Sequence, residues 1–566
     1  MSVEEAFNLW GETDSESDFL DLDDEGSDGE PPGTSAAGTE QHEAGGTEGS
    51  SDDSDGNDEQ DTPNPHPSYY IGKNKVDKWL KNPPVEGRTA ARNILFPPPG
   101  VTCYATQRLT DCLFSSFLLF FTMEMLDLTL RFTNKYGAEC LGDSWQPITE
   151  LELRAYIGLR ILAGVCRSSG ETLDELWSTE RGRPQFRATM SLARFNKITR
   201  FLRFDDRLQR RSSGVTSKLG PVTEIWQLFL STLSKSFVPF ESVTVDEQLV
   251  SFRGRCPFRQ YMPSKPAKYG IKFWLCCDSK TSYVLNGDIY TGREEGAPVA
   301  HNLGRNVVMK LVVPNLEGSG RNITMDNFFT SVSLARELIP KNLTLVGTMR
   351  KNNSEIPREF LPNKTRRVES SLFGFQGGMT LVSYVPKKGK AVILLSSMHR
   401  DSTTSGSRSK PEIIEYYNKT KGGVDTCDQR VSTYTSKRMG RRWSMVVFSN
   451  IVDIACLNAY IIWSLAFPTW KSGNLSRRRL FLLELSREMI TPCIEARNIA
   501  NLPGTSRRLA STVVGVVPDN RKRGRCHICT REGDRKSQQR CATCKLFVCP
   551  PHSVVNCRMC ANAPGS

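Results

Sequence analysis

Apolar residues recur at helical spacing from about 111 to 204, at strand spacing from 242 to 349, and at helical spacing again from 412 to 485. In the first stretch Leu151, Leu153, Ile157, Leu159, Ile161 and Leu162 predict one apolar helix, with Thr149 placed to cap it. Leu113 to Leu130 predicts another. Met190 to Leu202 predicts a third, and Arg187, Arg194, Lys197 and Arg200 recur at helical spacing as either a solvated or a phosphate-contacting face. Short β-branched and aromatic runs follow at 242–252, 270–278, 284–290, 322–325 and 343–349, with a helix at 331–339. Residues 351–411 carry further strands, at 380–385 and 391–396, and read as an insertion because helical sequence resumes only after them. Met445 to Phe467 is apolar enough to span a bilayer but holds Asn450, Asp453 and Asn458, so a buried helix of a non-membrane protein is expected. The class implied is α/β with a mixed sheet and a helical body.

Charge changes this picture at both ends. Residues 1–72 hold 21 Asp and Glu and no Lys or Arg, so a chain of net charge +12 carries +33 beyond them. That segment lacks apolar periodicity and reads as a disordered acidic tail. Its role is either solubilising or that of a DNA mimic, and Ser15 and Ser27, each with an acid three positions on, suit acid-directed phosphorylation. The basic remainder suits a nucleic-acid partner. The first twenty residues lack a signal-peptide pattern. Arg521-Lys-Arg-Gly-Arg525 suits nuclear entry or a DNA contact.

The candidate chemistry lies in carboxylates. Asp246 closes the strand-like run Val243–Asp246, Asp326 closes Asn322–Asp326, and Asp425 and Asp428 lie one helical turn apart. Such a set holds a pair of Mg²⁺ ions about 4 Å apart for phosphodiester transfer. Asp278 and Asp288 sit beside turns and suit this less. Between 253 and 272 Arg253, Arg255, Arg259, Lys265, Lys268 and Lys272 alternate with Phe258, Tyr261 and Tyr269, a pattern for phosphate contacts and base stacking. Lys437, Arg438, Arg441 and Arg442 add a second basic cluster.

Seventeen cysteines suggest disulfides until they are mapped: seven fall in the last 41 residues at metal spacing. Cys526/Cys529, Cys541/Cys544, Cys549/His552 and Cys557/Cys560 form four ligand pairs, enough for two structural Zn²⁺ ions, with a cross-brace of alternating pairs expected. His527 is spare. A RING-type ubiquitin ligase is another use of a cross-brace, but the surrounding Lys and Arg favour DNA.

The strings Val245-Asp-Glu-Gln248, Arg253 to Lys272, Thr324-Met-Asp-Asn-Phe-Phe-Thr-Ser331 and Lys421-Gly-Gly-Val-Asp-Thr-Cys-Asp-Gln429 closely resemble the piggyBac family of DNA transposases, from about Pro67 onward. The resemblance implies an RNase H-like catalytic domain with an inserted domain, flanked by a split helical dimerisation and DNA-binding domain, plus a C-terminal cross-brace domain that binds transposon ends. The expected boundaries are 1–72 for the tail and 73–241 for the N-terminal region with the first helical part. The catalytic domain covers 242–350 and 412–435, around an insertion at 351–411. The second helical part covers 436–505, a basic linker 506–525 and the zinc domain 526–566. It implies Asp246, Asp326 and Asp425 as Mg²⁺ ligands and Asp428 as a further required carboxylate. It also implies a homodimer in the nucleus that cuts double-stranded DNA at terminal repeats, passes through hairpins and joins the 3′-hydroxyls to TTAA targets. The alternative is a domesticated DNA-binding protein that does not transpose.

Overall fold

A computed structural model describes residues 68–84, 95–212, 217–292, 302–497, 510, 523–530, 533, 535–541 and 546–553. The expected acidic tail lies outside the described residues as far as residue 67; its last positions do not, because Tyr69–Ile71 forms a strand. That strand is β1 of an eleven-stranded sheet. The others are β2 (Lys78–Leu80), β3 (Ser242–Ser251), β4 (Gln260–Tyr261), β5 (Tyr269–Asp278), β6 (Val284–Ile289), β7 (Asn322–Met325), β8 (Thr344–Thr348), β9 (Ser371–Gln376), β10 (Met379–Tyr384) and β11 (Val392–Ser396). The order is β1-β2-β9-β10-β11-β8-β7-β3-β5-β4, with β6 also paired to β5.

At its centre β7 runs parallel to both β3 and β8, while β5 is antiparallel to β3 and to β6. Val243, Thr244 and Val245 are all buried, so β3 is covered on both faces, as a central strand must be. Residues 351–411 do not stand apart: β11 pairs antiparallel with β8 and carries β10 and β9 on the same sheet.

The principal helices are α1 (Met123–Leu141), α2 (Glu150–Val165), α3 (Leu192–Phe201), α4 (Leu303–Leu316), α5 (Glu412–Thr420), α6 (Gly423–Thr433), α7 (Trp443–Ala466) and α8 (Arg477–Ala496). Thr149 caps α2 in a full capping box with Glu152. The expected helix at 113–130 is instead broken, with Leu113–Leu118 ending before Thr122 caps α1.

Helices from before and after the sheet form one body. A methyl group on Gly158 of α2 would lie 2.8 Å from Met489 Cβ of α8, so these helices touch backbone to side chain. Buried Arg160 of α2 donates to the Ser436 carbonyl (3.1 Å) and to Ser449 Oγ of α7 (2.8 Å). Helix α7 is long and apolar enough to cross a membrane, yet it is almost wholly buried inside the protein. Two of its polar residues are hydrogen-bonded there to neighbouring segments. Asn458 exchanges two hydrogen bonds of 3.0 Å with the Val284 backbone, and Asp453 accepts from Ser436 N–H at 2.7 Å and Thr435 Oγ at 2.6 Å.

Candidate active site

The last parallel pair between β3 and β7 is Val245 with Met325. Asp246 and Asp326 are the next residues on their strands, so they stand side by side. Asp246 is inside β3 rather than at its end, a departure from the sequence reading. The strand runs on to Ser251 because β5 pairs with it throughout, while β7 stops at Met325. The notch left on that one side is where the two carboxylates sit. Phe328 N–H donates to Asp326 Oδ1 at 2.9 Å and Glu247 N–H to Asp246 Oδ1 at 2.7 Å.

Helix α6 brings Asp425 and Asp428 over the notch. A Cβ on Gly423 would lie 2.5 Å from Thr244 Oγ, so only glycine lets the first turn of α6 rest on β3. Thr244 Oγ also donates to the Thr420 carbonyl at 2.7 Å, fixing the chain just before that turn. Asp428 Oδ1 accepts from Gln248 Nε2 (3.0 Å), and Gln248 Oε1 accepts from Asn450 Nδ2 of α7 (2.9 Å). Gln248 and Asn450 are both buried. This relay was not anticipated; its signal was an amide in a buried strand and another in a largely apolar helix.

Burial pushes the Asp246 carboxyl well above the usual range, and Glu247, Asp326 and Asp425 add to the shift. Burial likewise raises Asp326, with Glu247 adding and the Phe328 N–H opposing. Asp428 is raised by burial against its bond from Gln248. Desolvated acids of one sign that act on one another are a donor set that a divalent cation would neutralise, and hard oxygen ligands suit Mg²⁺, although no three of these residues bring their oxygens within 4.8 Å of one another. Asp278 and Asp288 are engaged elsewhere. Buried Asp278 accepts from Phe240 and Thr281 N–H, both at 2.7 Å, and Asp288 pairs with Lys310 at 2.8 Å.

The basic residues divide into two sets. Arg253, Arg255, Arg259 and Arg441 line an open cleft of about 1090 Å³, and Lys268 is exposed nearby. Tyr261 and Tyr269 are exposed with ring centroids 4.8 Å apart, whereas Phe258 is buried against Trp443, an anchor for the loop rather than a platform for a base. Lys265 turns toward the carboxylates. Lys437, Arg438 and Arg442 turn inward. Lys437 Nζ donates to Ser251 O at 2.9 Å, Arg438 to the Ser168 and Glu171 carbonyls, and Arg442 to those of Thr199, Arg200 and Leu202. Burial pulls the Arg442 guanidinium down to about 10. On the third predicted helix, Arg194 is likewise taken up by Glu152 at 2.8 Å, and Lys197 donates to the Ser144 carbonyl.

In the C-terminal module, Cys526, Cys529, Cys549 and His552 place four ligand atoms within 4.8 Å of one another, as no other group among the described residues does. Three separations from His552 Nδ1, to the thiols of Cys526, Cys529 and Cys549, are 3.5, 3.5 and 3.3 Å, and Cys529 and Cys549 sulfurs are 3.6 Å apart. A tetrahedron with metal–ligand bonds of about 2.1–2.3 Å has edges of about 3.5–3.8 Å, so the four fit one metal ion. The first and third ligand pairs therefore meet. His527 lies outside, with Nδ1 3.1 Å from the Phe547 carbonyl oxygen. Of the second set Cys541 is buried, while Cys544, Cys557 and Cys560 lie outside the described residues.

A family profile described as Transposase IS4 matches residues 114–460, more than half of the chain. A cryo-EM structure of a piggyBac transposase synaptic complex with hairpin DNA superposes with a TM-score of 0.71 at 34% identity, covering 82% of this chain and 99% of that one. Human PiggyBac transposable element-derived protein 3 is 24% identical over 488 residues, 82% of this chain and 77% of the relative. Human PiggyBac transposable element-derived protein 2 is 22% identical over 374 residues, 61% and 60% of the two chains.

Proposed function

The chain belongs to the piggyBac family of transposases, and from that premise we propose that it is an active cut-and-paste DNA transposase. The observation that carries this reading is the meeting of Asp246 and Asp326 in one register notch beneath Asp425. The central strand order β6-β5-β3-β7-β8, with two parallel and two antiparallel pairings, is that of an RNase H-like catalytic domain, and we assign the fold accordingly.

Asp246, Asp326 and Asp425 are the residues to hold two Mg²⁺ ions. When bound, these ions supply charge for the attacking and leaving oxygens of phosphodiester transfer. The chain's own part is positional. The β3–β7 register fixes two carboxylates, α6 presents the third, and the Gln248–Asn450 relay sets Asp428 beside them. Arg253, Arg255, Arg259, Lys268 and Arg441 in and beside the open cleft contact backbone phosphates, and Tyr261 and Tyr269 offer faces to an unpaired base. Lys437 ties the segment before α7 to β3, and Arg438 and Arg442 tie that segment to the helical body.

On DNA, water hydrolyses one strand at the element's end, and the freed 3′-hydroxyl attacks the opposite strand to close a hairpin. After reopening, 3′-hydroxyls join target DNA at TTAA. A homodimer pairs the two ends in the nucleus. The Cys526–His552 cluster binds Zn²⁺ and orders a module that grips the terminal repeats.

A second reading, a DNA-binding protein without transposition, draws support from relatives named as transposable element-derived. A cleavage assay with Mg²⁺ on TTAA-flanked ends from the source genome separates the two. Wild type gives hairpins, and Asp246→Asn, which removes a charge but keeps the shape, abolishes them while end binding persists. Binding by both proteins with cleavage by neither establishes the second reading.

A further inference from the structure

The basic loop's cations do not all face the cleft. Lys265 has only 21% of its side chain exposed, and its Nζ lies 3.7 Å from Asp425 Oδ1 and donates to the Glu247 carbonyl at 3.3 Å. The loop is built to hold it there. Met262 N–H donates to the Lys268 carbonyl at 2.7 Å, Lys265 N–H to the Met262 carbonyl at 3.2 Å, and Lys268 N–H to the Lys265 carbonyl at 3.0 Å. Pro263 and Pro266 stiffen the turn on both sides.

Taking an ammonium out of water is unfavourable unless negative charge meets it. Here the Asp425 carboxylate and the Glu247 carbonyl oxygen meet it, with Asp428 one helical turn beyond Asp425. Lys272, the next cation along, is 3.6 Å from Glu247 Oε2 and so is directed to a different acid. Gln248 occupies one oxygen of Asp428. Lys265 is thus the cation placed against Asp425, the most exposed carboxylate of the set, with 66% of its side chain open.

We propose that Lys265 is the built-in counter-ion of the metal-free active site, holding the carboxylates together until a divalent ion displaces it. This rests on the reading of Asp246, Asp326 and Asp425 as the metal site. It separates Lys265 from its neighbours in the loop, whose cations serve DNA. It also fixes two opposite signs: removing the ammonium destabilises the metal-free protein but strengthens divalent-ion binding, because like charge no longer repels the incoming ion.

The test uses the full-length protein titrated with Mn²⁺, with free Mn²⁺ read by electron paramagnetic resonance and thermal midpoints recorded with and without the ion. Binding lost in Asp246→Asn defines the carboxylate site. Lys265→Met should bind Mn²⁺ there about tenfold tighter, the scale of one unit charge a few ångströms away in a partly solvated site. Its ion-free midpoint should fall below wild type, and Mn²⁺ should raise it by more. Lys265→Arg should track wild type, and Lys265→Gln replaces the methionine variant if that one does not fold. Wild-type Mn²⁺ affinity in Lys265→Met, with only DNA binding weakened, would overturn the proposal and leave a phosphate contact. Equal Mn²⁺ binding by wild type and Asp246→Asn would instead remove the metal-site reading, and this inference with it.

Discussion

Gln248 joins the proposed catalytic helix to the helical body through one side chain, giving to Asp428 and accepting from Asn450. Replacing it with leucine keeps the volume and removes both bonds, leaving the buried Asn450 amide without its acceptor. The expected result for Gln248→Leu is a stability loss of about 1–3 kcal/mol, about tenfold slower cleavage from a loosened Asp428, and unchanged DNA affinity. Cleavage at the wild-type rate would show that Asp428 needs no such support. The aspartates themselves were legible because each lies in a distinctive string. The relay was not, since an amide's partner depends on which helix crosses the strand. The same holds for Lys437, Arg438 and Arg442: a sequence shows the cations but not whether they meet water, phosphate or a carbonyl. Acid titration tests the carboxylates directly. Burial and neighbouring acids raise Asp246 above its usual pKa, so protons compete with Mg²⁺ at a higher pH than they would at an ordinary carboxylate. The Mg²⁺ concentration for half-maximal cleavage should therefore rise as pH is lowered. A requirement independent of pH would mean that the carboxylates do not bind the ion.

Elements were easier to read than single partners. The strands at 242–251, 269–278, 322–325 and 344–348 fall within a residue or two of their periodicity. Helix α4 escaped because its Val307-Val308 and Val312-Val313 pairs look strand-like and Pro314 looks like a stop. The strand at 371–376 escaped for another reason, its two-residue turn to β10 being Gly377-Gly378, both at positive φ, inside what looked like loop composition. Helix α6 shows how an element positions a site. Gly423 lets it rest on Thr244, and a methyl group at 2.5 Å from Thr244 Oγ would lift its first turn and Asp425 with it. Gly423→Ala should cost about 1–3 kcal/mol of stability and reduce cleavage well beyond what the lost folded fraction explains, with DNA binding retained at temperatures where the variant is folded. A loss of cleavage that merely follows unfolding would mean that the turn bears on the fold alone.

At the scale of the whole molecule, the described helices before and after the sheet interlock. The strands of the segment expected as an insertion lie on the same sheet as β3 and β7, ending against β2 and β1. This continuity was not legible in the sequence, because strand pairing across hundreds of residues leaves no local mark. The continuity matters for the acidic tail. Tyr69–Ile71 pairs with Lys78–Leu80 around the fully buried Trp79, and Asp77 pairs with Arg336, so cutting at 72 would remove an edge strand as well as charge. All 21 acids lie at or before Asp61, so deleting residues 1–67 removes the same charge and spares the strand. If the tail competes with DNA for the basic cleft, that deletion should raise DNA affinity several-fold at about 50 mM salt. The gain should shrink as salt screens the tail from the cleft, over a Debye length of about 10 Å at 0.1 M. The melting temperature should not change. Salt titrations of DNA binding by the two proteins would then converge at high salt, whereas parallel curves at all salts would leave the tail only a solubilising role.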